Sequence, residues 1–137
     1  MTRYLLDTNT VSLLIRQHPA VLRRVVATPM ANLAISAVTE AELLFGLAKR
    51  PQAQHLHAAV HEFLRRVDAI PWDSATAARY GALRASLERQ GRMLAALDLL
   101  IAAHALALGA VLVSNDQAFA QVPGLALEDW KTGLSES

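Results

Sequence analysis

Apolar residues first gather in "YLL" at Tyr4–Leu6, an unbroken run that ends on Asp7, Thr8 and Asn9. A continuous run, rather than an alternating one, suits a strand covered on both faces. "NTVSLLIRQ" then spaces Val11, Leu14 and Ile15 as one face of a helix. Pro19 opens a second helical run, "PAVLRRVVA", because proline is tolerated in a first turn. "NLAIS" is a second short strand, followed by a helix in "AVTEAELLFGLAKR" with Val38, Leu43 and Leu47 on its apolar side. "QAQHLHAAVHEFLRRV" repeats the helical spacing at Leu56, Val60, Phe63 and Val67. After a brief extended "AIPW", Asp73 is placed to cap "SATAARYGALRASLERQ" and Gly91 to end it. A helix over residues 98–108, a strand "AVLVS", a turn at Asn115 and Asp116, a short helix "QAFAQV" and an extended "LALEDW" complete the order.

Strands alternating with helices predict an α/β fold, a central parallel sheet flanked by helices on both faces. With no repeat, low-complexity tract or linker, the chain reads as a single domain over residues 1–131 and a polar tail at 132–137. One segment complicates this reading. "AALDLLIAAHALALGAVLV" is long enough to cross a bilayer, but it holds Asp98, His104 and Gly109 and has no basic anchors. A buried helix followed by a buried strand accounts for it better, and no membrane association is expected.

Composition removes further classes. Hydrophobic residues at 53% and charged residues at 18% exclude a disordered chain. The absence of cysteine excludes disulfides and thiolate metal sites. No signal peptide is evident, so a cytoplasmic protein is expected. A net charge of +1 excludes a generally polybasic nucleic-acid binder but allows a local arginine-lined groove.

Four acids then stand out by position. In open α/β sheets, ligands bind beyond the carboxyl ends of the strands. Asp7 and Asp116 follow two of the predicted strands, Glu42 follows "NLAIS" by about one and a half helical turns, and Asp98 begins a strongly apolar helix. Two carboxylates about 4 Å apart repel by roughly 4 kcal/mol at an effective dielectric near 20. No lysine or histidine is next to any of the four in sequence. An oxygen-only acidic site suits Mg²⁺, with Mn²⁺ a plausible substitute. Such an ion activates water and neutralises charge on a phosphodiester, which makes a metal-dependent nuclease the expectation.

The same residues carry a family resemblance. "LLDTNTVSLLI", "AISAVTEAELLFGL", "DLLIAAHALALGAVLVSND" and "FAQVPGLALEDW" resemble, in order and spacing, the PIN-domain ribonucleases, and more narrowly the VapC-type toxins of toxin–antitoxin pairs. The resemblance implies a PIN-like fold whose catalytic, metal-binding acids are Asp7, Glu42, Asp98 and Asp116. Asp7 and Asp98 would be the principal ligands, and Glu40 would be a solvated helix residue. Thr8, Asn9 and Ser114 match the polar residues that orient the acids, and Asn9 could also cap the first helix. The resemblance further implies an RNA substrate, often tRNA, a small VapB-type antitoxin, a homodimer, and DNA contact only through the antitoxin. One departure falls in "MLAALD", where related sequences carry a glycine and a polar or turn-forming residue. Here Ala95, Ala96 and Leu97 would extend the helix backward or alter the loop beside Asp98.

Other features read as ordinary. His55, His57 and His61 form H-x-H-x-x-x-H, and "HEFLR" misses the second histidine of a zinc-protease motif. His104 lies about 240° around its helix from Asp98 and is expected to be packed. The arginine pairs and the series Arg79, Arg84, Arg89 and Arg92 suit solvated faces, with Arg84 the first candidate for a substrate contact. Two competing functions were weighed. "LLDTNTV" approaches the nucleophile motif of haloacid-dehalogenase phosphatases, but Asn9 replaces the usual acid–base aspartate. A non-catalytic dimeric module of a DNA-bound repressor complex would gain nothing from four mutually repelling acids.

Overall fold

The computed structural model describes residues 2–132; of the expected polar tail, residues 133–137 lie outside the described residues. Five strands form one parallel sheet: β1 (Tyr4–Leu6), β2 (Leu33–Ser36), β3 (Asp68–Ile70), β4 (Val111–Val113) and β5 (Leu127–Glu128). Their spatial order is β3-β2-β1-β4-β5. The chain first builds outward from β1 through β2 to β3, then returns to lay β4 on the other side of β1. The reversal between β1 and β4 is the kind of switch point that opens a crevice above a parallel sheet.

Six α-helices cover the sheet: α1 (Thr8–Ile15), α2 (Pro19–Val26), α3 (Ala37–Ala48), α4 (Gln54–Arg66), α5 (Ser74–Arg89) and α6 (Ala96–Leu108). Strand side chains alternate between two cores, as the two-residue period requires. Leu5, Ala34 and Leu112 face a core shared with Leu83 and Leu87 of α5 and Ile101 and Ala102 of α6. Leu6, Leu33, Ile35 and Val113 face a second core with Val11, Val21, Leu43, Leu47 and Val60 from α1 to α4. Burying one such side chain contributes about 1.5–3 kcal/mol, so both faces of the sheet are held by comparable forces.

The apolar stretch that resembled a membrane span is α6 and β4. Leu99, Ile101, Ala102, Ala103, His104 and Ala105 are all buried, so the helix is enclosed by protein on most sides. Gly109 ends it at φ 64°, a left-handed conformation that costs glycine little, and the Ala110 N–H closes back on the Ala105 carbonyl at 3.0 Å. Among the described residues no helix is long and apolar enough to cross a membrane. "QAFAQ" forms a 3₁₀ turn, and "AIPW" supplies a true edge strand, β3. Helix α6 starts at Ala96, two residues earlier than the expected 98, with Ala95 giving no side-chain cap. Alanine is the best helix former, so "AAL" extends the helix backward instead of forming a separate turn.

Candidate active site

The elements that end at the crevice bring the four acids to one place. Asp7, Glu42, Asp98 and Asp116 line a single cleft of about 250 Å³, together with Thr8, Asn9 and Ile101. No lysine, arginine or histidine lines that cleft. Each acid arrives by a different local device.

Asp7 leaves β1 as the N-cap of α1. Its Oδ1 accepts from the Thr10 N–H at 2.8 Å, while its own N–H donates to the Val113 carbonyl at 3.1 Å. The carboxylate is 6% exposed. Burial raises its pKa, opposed by hydrogen bonds from Ser114 and Thr10; the nearby charge of Asp116 raises it further. The cap therefore belongs to Asp7, and Asn9 is an exposed residue of the helix rather than its cap.

Ser114 is 2% exposed and serves two acids at once. Its hydroxyl hydrogen-bonds Asp7 and accepts from the Asp116 N–H at 3.0 Å. Asp116 is itself exposed and caps the following 3₁₀ turn, accepting from the Ala118 N–H at 2.9 Å. Thr8 donates its hydroxyl to Glu42 Oε1 across the α1–α3 gap. Thr8 and Ser114 are thus each bonded to an acid of the cleft.

Asp98 is different. It sits in the first turn of α6, half-buried, and accepts no hydrogen bond among the described residues. Its pKa is raised by burial and then by the charges of Asp116, Asp7 and Glu42. All four acids are therefore within electrostatic reach of one another. Yet among the described residues no three acidic or histidine side chains converge so as to hold an ion as they stand. Asp7, Glu42 and Asp116 each accept a hydrogen bond, from the Thr10 N–H, the Thr8 hydroxyl and the Ala118 N–H.

The remaining expectations fall as follows. Arg84 lies on α5, bonded to Glu88 Oε2 (3.0 Å) and the Tyr80 hydroxyl (3.1 Å). It lines a separate groove that shares no residue with the acidic cleft. His104 is 1% exposed and packed, its Nδ1 2.8 Å from the Ser36 hydroxyl, with a further bond to the Pro71 carbonyl. Burial lowers its pKa, so it is a neutral strut between α6 and the start of α3. His57 donates from Nε2–H to the Arg50 carbonyl at 2.9 Å, because a carbonyl oxygen only accepts. No metal group forms from the histidines of α4 among the described residues. Glu40 is half-buried on α3 and does not line the cleft.

Sequence reasoning missed Thr10 and three cations. Thr10 is buried and ties α1 to β4 through its hydroxyl and the Val113 carbonyl at 3.0 Å. Its position three residues after Asp7 is the spacing at which an N-cap finds its donor. Arg16, Lys49 and Arg50 line a larger groove beside the cleft.

The fold has counterparts among known proteins. The PIN domain family model matches residues 4–125. The chain is 36% identical over 131 residues to the tRNA(fMet)-specific endonuclease VapC of Shigella flexneri, covering 95% of this chain and 99% of that protein. It is 33% identical to ribonuclease VapC2 of Haemophilus influenzae, with the same coverage. Among solved structures, the DNA-bound VapBC complex of Salmonella typhimurium matches with a TM-score of 0.87 at 33% identity, covering 95% of this chain and 99% of that one. VapBC2 of Rickettsia felis, bound to a promoter DNA fragment, matches with a TM-score of 0.85 at 34% identity, covering 94% and 99%. This leaves the phosphatase reading without support: the chain belongs to the PIN-domain family, among the VapC-type ribonucleases.

Proposed function

We propose that this protein is a divalent-metal-dependent endoribonuclease, using Mg²⁺ or Mn²⁺, and the toxin of a toxin–antitoxin pair. The observation that carries the proposal is Asp98: a half-buried carboxylate with no hydrogen bond among the described residues, facing three other acids in a cleft that no cationic side chain lines. A set of oxygen donors alone fits Mg²⁺ or Mn²⁺ and suits neither zinc nor copper. Asp7 and Asp98 would be the principal ligands, with Glu42 and Asp116 completing the site. A bound divalent cation would supply water activation and neutralise charge developing on the phosphodiester.

The chain's own residues do the rest. Ser114 and Thr10 hold the Asp7 carboxylate in one orientation from the base of the cleft. Thr8 does the same for Glu42, and the α1 cap and the 3₁₀ turn fix the approach of Asp7 and Asp116. Buried and hydrogen-bonded, Asp7 needs little rearrangement to act, while Asp98 is the acid left free to respond to a cation.

The relatives' names make tRNA the first RNA to test, and the VapBC complexes suggest a VapB-type antitoxin as partner. A homodimer, DNA contact only through the antitoxin, and a cytoplasmic site of action belong to the same proposal. The experiment is incubation of partner-free protein with total RNA and tRNA in Mg²⁺ or Mn²⁺, against EDTA and Asp98→Ala. Cleavage that requires both the ion and Asp98 supports the proposal. No cleavage by folded protein in any divalent ion would favour a non-catalytic module of a repressor complex.

A further inference from the structure

A second groove, of about 370 Å³, opens between α1, α3 and α4 and shares Thr8, Asn9 and Glu42 with the acidic cleft. Three cations line it: Arg16, Lys49 and Arg50. All three are exposed, and none is ion-paired among the described residues. Arg3, Arg24, Arg65, Arg66 and Arg84 are each bound to a carboxylate, whereas Arg23, Arg79, Arg89 and Arg92 also form no ion pair among the described residues but line neither this groove nor the cleft. Glu42, at the shared edge, is the only acid lining the groove. Outside the groove's lining but on the same helix, Phe45 is 63% exposed, with the Lys49 ammonium 4.8 Å from its ring. An exposed aromatic beside unpaired cations is the combination a single-stranded nucleic acid uses, stacking a base on the ring and placing phosphates on the charges.

We propose that this groove is the binding track for the RNA strand on one side of the scissile bond, with Arg16, Lys49 and Arg50 on phosphates and Phe45 stacking a base. The inference rests on the nuclease reading and deepens it. Four carboxylates repel a polyanion, so substrate must be held by cations outside the cleft yet continuous with it. This groove meets both conditions, and the Arg84 groove on α5 shares no residue with the cleft. The apolar floor, including Leu43, Leu47 and Val60, would also accept a peptide, but the unpaired charge favours the polyanion.

The test measures anisotropy of a labelled single-stranded RNA in Mg²⁺, in an Asp98→Asn background that suppresses cleavage. Two triple variants carry the same change in charge: Arg16→Glu/Lys49→Glu/Arg50→Glu in the groove, and Arg79→Glu/Arg84→Glu/Arg89→Glu on α5. The groove variant should lose more than about tenfold in affinity, and its log–log salt slope should shrink by about 2, the value for three contacts to a single strand. The α5 variant should lose clearly less. Phe45→Ala should weaken binding roughly tenfold with the salt slope unchanged. A glutamine triple in the groove serves if the glutamate one does not fold. Equal losses in both triples, or an unchanged affinity in the groove variant, would overturn the proposal; the latter, with lost binding of a protein partner, would assign the groove to protein. Cleavage by the wild-type chain is scored separately. Binding through the groove without cleavage sinks the nuclease and spares the track, and cleavage with unchanged binding in the groove variant does the reverse.

Discussion

Asp7 and Asp98 lie in one cleft, both with raised pKa values, and they are built in opposite ways. Asp7 is buried and held by Thr10 and Ser114, and it caps the helix that follows it. Asp98 is half-buried, unbonded, and surrounded by like charge. One acid is therefore part of what holds the fold together, whereas the other is a local cost that only a cation relieves. Stability and activity should separate at Asp98, whereas at Asp7 a substitution that removes the capping oxygen should cost both.

The largest effect is expected on cleavage. Asp98→Asn and Asp7→Asn should each reduce RNA hydrolysis by more than about 100-fold, since even residues that merely orient a metal ligand are worth roughly 10–100-fold. Initial rates on tRNA at saturating Mn²⁺ check this. Comparable turnover in either variant would remove that acid from the site.

Next in size is the stability gained from the ion. At about 100 times its dissociation constant, Mn²⁺ should stabilise the wild-type protein by roughly 2.7 kcal/mol, and Asp98→Asn by much less. Urea unfolding with and without Mn²⁺ reads this directly. An equal gain in both proteins would place the ion away from Asp98.

Without metal, the two acids should part in sign. Asp7→Ala removes a helix cap and leaves the Thr10 N–H and the Ser114 hydroxyl short of a partner, so it should destabilise by about 1–2 kcal/mol. Asp7→Asn keeps a capping oxygen and sheds the buried charge, so it should be close to wild type. A destabilised Asn variant, matching Ala, would show that the charge itself carries the cap.

The contrast between the two acids was only partly legible in the sequence. That an acid ends β1 could be read from "YLLDTN", and that α5 begins at Asp73 from its capping position. The parallel order was legible as well, because "YLL" and "VLV" are too apolar for strands with an exposed face. What could not be read was which local partner each acid finds. Thr8 lies 34 residues from Glu42, and His104 lies 68 from Ser36, distances that only the folded sheet closes. The start of α6 leaves two readings open in the sequence, a helix extended backward or an altered loop, because Ala95 and Ala96 carry no stop signal; the structure shows the extension, from Ala96. The basic groove escaped for the same reason as the acid contacts, since Arg16 and Lys49 come from different helices.

The smallest effect is the most specific to Asp98. In EDTA near neutral pH, Asp98→Asn should be more stable than wild type, by less than about 1 kcal/mol because solvent screens a half-exposed group. The sign follows from linkage. A carboxyl whose pKa is raised in the folded state binds its proton more tightly there than in the unfolded chain, where the ordinary value is 3.8. Stability from this source therefore falls as pH rises from about 3.8 through the raised value, and stays lost above it. Asparagine has no such transition, so the gap between variant and wild type should open over that acidic window and remain level to neutrality. Asp7 contributes a fall of the same sign in both proteins, so the difference reports Asp98 together with its coupling to Asp7. Unfolding free energies across pH in EDTA measure the gap, and adding Mn²⁺ at neutral pH should reverse it. A gap that is constant with pH would mean that packing at the head of α6, rather than repulsion among the four acids, sets the stability there.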